Sequence, residues 1–383
     1  MPELTDPRTF PERADPTQSA LLDLASASLA ATSTARAAEA DAELTRALLQ
    51  QLRSGDGAQL AALFAAAPSA VIARHLWRRL QEAWTDATKA PADASVVATL
   101  FAMPIVIVVG RQSDEGPALV NGVLANVASI VSLLREQGAL AGNQTFGFAH
   151  ALVAADALDI PRLPALLAWQ QLSGTVTSAD RDFLPAPMPV VPGAETAHLR
   201  FLVGTALAAP RCNLLADTKA AGWGMPLAQE LARQLAARGL SVLALPRAPQ
   251  APLAALQSGR AVQREVAAQL FASNALRRLR ASVGEPTAVI SAHRCATALG
   301  GGELRLSLSS PFDPRQAEGF RCSLFPTERV GDVATMLLDL LRDCRVTDVR
   351  VLEGVHADRD QATGLTLLFK PDAMSPGERT LLH

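Results

Sequence analysis

Ala98-Thr-Leu-Phe-Ala-Met-Pro-Ile-Val-Ile-Val-Val-Gly110 is the stretch that decides how this chain is read. From Ile105 to Val109 it is an unbroken β-branched run. Such a run has no polar face, so it belongs to a strand buried on both sides, the habit of central and parallel strands. Pro104 is tolerated at the first position of that strand, where no ladder bond is lost. The stretch is too short to cross a bilayer as a helix and contains a proline. A polar loop, Gly110 to Gly116, follows, and Pro117 suits the first position of a helix. Val120, Leu124, Val127, Val131 and Leu134 then share one helical face, with Gly138 as the stop. Strand, loop and helix predict an α/β unit.

Upstream, residues 1–95 read as a helical region. Leu44, Leu48 and Leu52 recur at i+4, as do Ile72, Leu76 and Leu80, with Trp84 continuing the stripe. Ser54-Gly55-Asp56-Gly57 and Pro68-Ser69 break the helices, and Ser69 is placed as an N-cap. The first α/β half, 96–183, ends in a second helical patch from Ala149 to Gln171. Pro185, Pro187, Pro189 and Pro192 then predict an extended, exposed linker over 184–197, unless the segment is an embedded strap.

Downstream, the second half, 198–371, alternates. Strands are expected at Leu199–Leu207, Ser241–Leu245 and Thr287–Ala292, with helices at Pro226–Arg238 and Val262–Val283 between them. That order argues parallel pairing with helical crossovers. Glu303-Leu-Arg-Leu-Ser-Leu308 alternates strictly, the mark of a half-exposed strand. Strands at Phe320–Phe325, Thr347–Leu352 and Leu365–Phe369 and a helix at Val330–Asp343 complete a mixed sheet with antiparallel additions. Residues 372–383 read as a tail. The expected fold is α/β, an N-terminal helical layer followed by two α/β halves, which share a weak echo in Pro117 and Pro226.

Composition narrows the chemistry. With 383 residues, 49% hydrophobic and 19% charged, the chain can bury a large core. A net charge of -2 and 4% aromatic residues argue against a nucleic-acid partner. There is no tyrosine, so no phenol can act as acid, base or nucleophile. Cys212, Cys295, Cys322 and Cys344 never pair as C-x-x-C, which predicts free thiols, no metal and a reducing cytoplasm. Met1 to Phe10 shows no basic region followed by an apolar stretch, so no signal peptide is expected. Nucleotide, metalloprotease and hydrolase motifs are missing, and no cofactor is expected. Lys89, Lys219 and Lys370 are the only lysines among 35 basic residues. Together with heavy alanine usage, this suggests a bacterial coding bias.

The loop Arg211 to Met225 carries Asp217, Thr218, Lys219, Gly222, Trp223 and Gly224 between a strand and a helix. A helix start offers free N–H groups, Lys219 a charge and Trp223 a hot-spot side chain, so the loop suits a partner or an anion. A plainer reading folds Trp223 onto the core as a lid. Asp114 and Glu115 complement a helix dipole or could hold a cation. His293 and Cys295 follow a strand and suggest a base and nucleophile, although strand geometry opposes direct pairing. His356, Asp358 and Asp360 alternate in a pattern that can hold a divalent cation, although a polar hairpin turn is the better reading. Arg264, Arg277, Arg278 and Arg280 cluster towards the end of a helix, where cations suit the dipole. These features predict a non-catalytic assembly or adaptor protein of a bacterial multiprotein complex, with protein partners or self-association. The rival reading is an α/β enzyme for an anionic small molecule at Lys219 and Gly222–Gly224.

Overall fold

Four helices open the computed structural model, which describes residues 16–89, 97–110, 119–140, 144–172, 185–189, 195–208, 222–236, 241–294, 302–310, 317–356 and 380–381. They are α1 (Pro16–Ala30), α2 (Thr34–Ser54), α3 (Gly57–Ala65) and α4 (Ala70–Ala87). Ser33, Asp56 and Ser69 cap the last three, each side chain accepting from the backbone N–H three residues on. Gly55, at φ 85°, ends α2 in the left-handed conformation. Leu44, Leu48, Leu52, Leu76, Leu80 and Trp84 are buried, so the i+4 stripes face one core.

That core lies on a five-stranded sheet built from β1 (Val97–Val109), β3 (Thr145–Phe148), β4 (Val153–Ala154), β6 (Thr196–Ala208) and β7 (Val242–Pro246). Its order is β3-β6-β1-β7, with β4 also on β6. Along β1, Leu100, Ala102 and Val106 face the helical layer, while Phe101, Met103, Ile105, Ile107 and Val109 face the other side. On that other side pack α5 (Val127–Glu136) and α7 (Gly224–Ala236), with α6 (Leu163–Leu172) joining the helical layer. The Ile105–Val109 run is therefore buried on both faces. Every pairing in this sheet is nonetheless antiparallel, from Val97↔Ala208 to Val109↔Thr196 and on to β7. Helices on both sides suffice to bury a strand fully, so the parallel crossovers inferred from alternation do not occur here. β1 and β6 also join, in one sheet, stretches that the sequence reading set apart at 184–197.

Two expected helices are shorter than their patterns. Leu119–Asn121 is strand β2, and the helix starts only at Val127. Asn126 caps it by accepting from Ser129 N, and a Cβ on Gly122 would come within 2.7 Å of Leu152 O. Within Ala149–Gln171, β4 and two 3-10 turns precede α6, because Asp159 and Pro161 break the chain. Gln234 Nε2 donates to Asn126 O and Gln234 Oε1 accepts from Asn126 N, tying α7 to the start of α5. Beside this latch, hydrogen bonds from Arg233 hold the Glu230 carboxyl down at about 2.

The described part of the proline segment is an embedded strap. Pro187–Pro189 forms β5, paired with β2, and Ala186 and Met188 are buried. Buried Arg200 donates to Pro187 O at 2.5 Å and to Leu199 O at 2.8 Å. Proline lacks a donor, but this short edge strand gives its carbonyl to a guanidinium instead.

Helix α8 (Pro252–Val283) runs about 48 Å at 1.5 Å per residue and serves two cores. Its first turns place Leu253, Ala255 and Leu256 against the first sheet, and its last place Ala268, Ala272, Ala275, Leu276 and Leu279 against the second. The second sheet, β10-β9-β8-β11-β12, comprises β8 (Thr287–Arg294), β9 (Gly302–Ser309), β10 (Ala317–Ser323), β11 (Val349–His356) and β12 (Thr380–Leu381). β8 and β11 are parallel and the other pairs antiparallel, so the sheet is mixed. Helix α9 (Val330–Asp343) buries Val333, Leu337 and Leu341 against the α8 side of it. Phe325, between β10 and α9, plugs the helical layer with its ring 4.4 Å from Trp77, edge to face. Arg74 donates to Pro326 O and Glu328 O, and Arg264 grips the Glu328 carboxylate through both Nη atoms. The protein is an α/β fold with an N-terminal helical layer and two five-stranded sheets.

Candidate functional site

An open groove runs between α2 and α4 on the outer side of the helical layer, with a volume of about 540 Å³. Its walls carry Asp41, Thr45, Arg46, Arg79, Glu82 and Asp86, with Ala38, Ala42 and Leu49 between them. The charges are placed by helical spacing: Asp41 and Thr45 lie one turn apart on α2, and Arg79, Glu82 and Asp86 recur at three and four on α4. Arg79 Nη1 lies 2.8 Å from Glu82 and 3.4 Å from Asp41. Behind the wall, Asp41 also accepts from Ser28 Oγ and approaches His75 Nε2 at 2.9 Å, a close contact poorly aligned as a hydrogen bond. Burial lowers the His75 pKa, and Asp41 opposes that shift. Ser28 and His75 both meet Asp41 rather than each other, so the chain of contacts is no nucleophile–base pair. Among the described residues, the buried Thr45 Oγ1 and Arg79 Nε meet no hydrogen-bond partner.

Among the loop residues expected to form a site, Gly222 is exposed and Gly224 opens α7. Trp223 is half-buried and, with Val131, Leu133 and Val242, packs against the core that includes Leu227, Leu231 and Leu235. Asp217, Thr218 and Lys219 lie outside the described residues, as do Asp114, Glu115, Cys295, Asp358 and Asp360. Arg278 pairs with Glu318, and Arg280 pairs with Glu285 and donates to Cys344 O, so these two arginines fasten α8 to its neighbours. Burial pushes the Cys322 thiol up to about 12, far from a reactive thiolate.

His293 and His356, separate candidates in the sequence, are neighbours in the second sheet. His356 pairs with His293 across β11 and β8, and His293 pairs with Glu303 across β8 and β9. The strand read as half-exposed is also corrected here. Glu303, Arg305, Ser307 and Ser309 are at most 5% exposed, although they point away from the α8 core. Arg305 Nε donates to Glu303 Oε1 at 2.6 Å, and Arg321 Nε lies 3.9 Å from the same oxygen. No sequence signal marks that burial.

Among the described residues, no three His, Cys, Asp or Glu side chains gather as metal ligands, and no helix is long and apolar enough to cross a membrane. Comparison with family models, curated proteins and solved structures finds no match.

Proposed function

We propose that the chain is a non-catalytic assembly or adaptor protein of a bacterial multiprotein complex, docking a partner in the α2–α4 groove. The groove is the observation that supports this reading. It is open, bounded by two rigid helices, and alternates small apolar residues with charges. Three carboxylates, Asp41, Glu82 and Asp86, stand against two guanidiniums, Arg46 and Arg79, so a helical segment bearing arginine or lysine complements it. Small residues at Ala38 and Ala42 let a partner backbone come close.

Ala42→Trp tests the reading, because Ala42 is exposed and its replacement fills the groove without entering the core. The full chain and the variant are compared by quantitative affinity capture and by sedimentation. A partner, or self-association, weakened at least tenfold in the variant with unchanged melting supports docking here. Identical capture and sedimentation count against it. For the rival enzyme at Lys219, a saturable rise in melting temperature with phosphate, lost in Lys219→Ala, would be the sign.

A further inference from the structure

Arg200 is a buried cation with no anion beside it. It is 8% exposed and lies on the face of β6 that turns Leu202 and Ala206 into the α5–α7 core, while Leu199 and Phe201 point to the helical layer. A guanidinium keeps its proton, so burial cannot be relieved by neutralising it. Among the described residues, no carboxylate pairs with it, and Asp156 acts on it only through its charge. Buried charges are normally paired, because their desolvation is otherwise uncompensated.

What Arg200 meets instead is backbone. Of its five N–H donors, one on Nη1 goes to Leu199 O at 2.8 Å and one on Nη2 goes to Pro187 O at 2.5 Å. Nε is buried and has no hydrogen-bond partner. Nε–H and one N–H of Nη2 lie along the same edge of the guanidinium, the edge that takes both oxygens of a carboxylate.

The cover over this edge is thin. Pro187 is exposed while its carbonyl touches Arg200, so a single extended chain, residues 185–189, lies between the guanidinium and solvent. Pro185, Pro187 and Pro189 have no N–H, which leaves that strap two amide donors, on Ala186 and Met188. Ala186 N donates to Leu152 O at 3.1 Å, and pairing with β2 extends only over Leu119 to Asn121. The buried Met188 side chain is its apolar anchor. Beside the strap, Thr196 and His198 precede Arg200 on the same face of β6, both partly exposed, with Thr196 Oγ1 2.9 Å from His198 Nε2. The pairing of β4 with β6 ends at Arg200, so a polar row leads from the surface to the guanidinium.

We propose that Arg200 anchors a binding site for a small organic monocarboxylate, and that the 185–189 strap is its lid, with the Pro187 carbonyl standing in for a ligand oxygen. One buried positive charge matches one negative charge, which selects a carboxylate over a dianion of the phosphate class. The ligand displaces Pro187 O from Nη2 and lifts the strap, so ligand binding and strap closure compete. The site lies on the α5–α7 side of the first sheet, so it stands or falls independently of the α2–α4 groove.

Thermal melts and calorimetric titration of the full chain with sodium acetate and with sodium propionate, against sodium chloride at equal ionic strength, test this. Saturable binding and a rise in melting temperature are expected for at least one carboxylate and not for chloride. Hydrogen exchange in a peptide covering 185–189 should become faster with the carboxylate bound, the reverse of ordinary ligand protection. Arg200→Lys keeps the charge but loses the fork, and should weaken binding about tenfold. Met188→Ala loosens the strap without touching the guanidinium, and should tighten binding about threefold. Circular dichroism checks that both variants fold, and the Met188 variant decides the matter if Arg200→Lys does not. Failure of both carboxylates to bind the unaltered chain overturns the proposal, as does chloride acting equally well, the mark of an adventitious ion only. Undiminished binding in a folded Arg200→Lys overturns it too, as does strap exchange that slows or stays the same, or binding no tighter in Met188→Ala.

Discussion

Gly259→Ala sets two opposed effects of known size against each other. Gly259 sits in the interior of α8, where alanine is intrinsically about 1 kcal/mol more favourable than glycine. A Cβ at this position, however, would lie 2.9 Å from Leu199 Cδ1, 3.0 Å from Pro104 Cβ and 3.2 Å from Phe201 Cζ. Relaxed carbon contacts are about 3.5–4.0 Å, so all three are short. Leu199 and Phe201 are buried, and the Pro104 ring is held in a strand paired on both sides. None can swing into solvent, and overpacking of this kind costs about 1–3 kcal/mol. The crowding should win, for a net loss of about 1 kcal/mol. Gly331→Ala supplies the contrast: it lies in α9 with nothing within 4 Å of the added carbon, and should gain about 0.5–1 kcal/mol. Urea midpoints by far-UV circular dichroism, at unchanged m, read both. If Gly259→Ala stabilises as much as Gly331→Ala does, the close approach of helix to sheet is wrong.

Phe325→Ala should cost about 3–5 kcal/mol in urea unfolding, because it empties the plug against Trp77, and a loss below about 1 kcal/mol would contradict that packing. Burial lowers the His75 pKa in the folded chain, so the unfolded chain takes up a proton first as pH falls. Stability should therefore drop as pH falls below ~6.5 and level off below the folded pKa, and His75→Gln should flatten that slope. An unchanged slope in the variant would remove His75 as its source. Trp223→Ala should lower the melting temperature, at about half the 3–5 kcal/mol of a fully buried tryptophan, and an unchanged melt would mean that the side chain does not pack on the core. Cys322 should resist thiol reagents at pH ~8 until the protein unfolds, and rapid labelling of the native chain would contradict its burial.

What the sequence made legible was local. The i+4 leucines, the Ser69 cap and the double burial of Ile105–Val109 are set by residues within a turn or a strand of one another. The mixed second sheet was also readable, because its strictly alternating and continuous strands differ in pattern. Strand direction in the first sheet was not. A run buried on both faces looks the same whether its neighbours run with it or against it, and β1 takes its partner from about a hundred residues away. The Val120 to Leu134 stripe misled for a related reason. Val127, Ile130 and Leu134 are buried from a helix, whereas Leu124 reaches the same core from the turn before it. A core accepts apolar side chains from any backbone, so a stripe alone does not locate a helix start.

The reading of Glu303 to Leu308 failed differently. Alternation establishes that the two faces of a strand differ, and the further step, that the polar face meets water, is an assumption about what lies over it. Leu304, Leu306 and Leu308 do face the core between α8 and α9. Glu303, Arg305, Ser307 and Ser309 are buried too, which no pattern within β9 could reveal. Charge is expensive to desolvate, so a carboxylate and a guanidinium held under cover on a sheet face call for a reason beyond packing. Each charge has its partner on the same strand face, Arg305 Nε donating to Glu303 Oε1 at 2.6 Å, so the pair offsets part of its own desolvation. The expectation of solvent exposure thus fails along the whole polar face of β9, and a polar strand face that is kept from water is itself a signal of where to look.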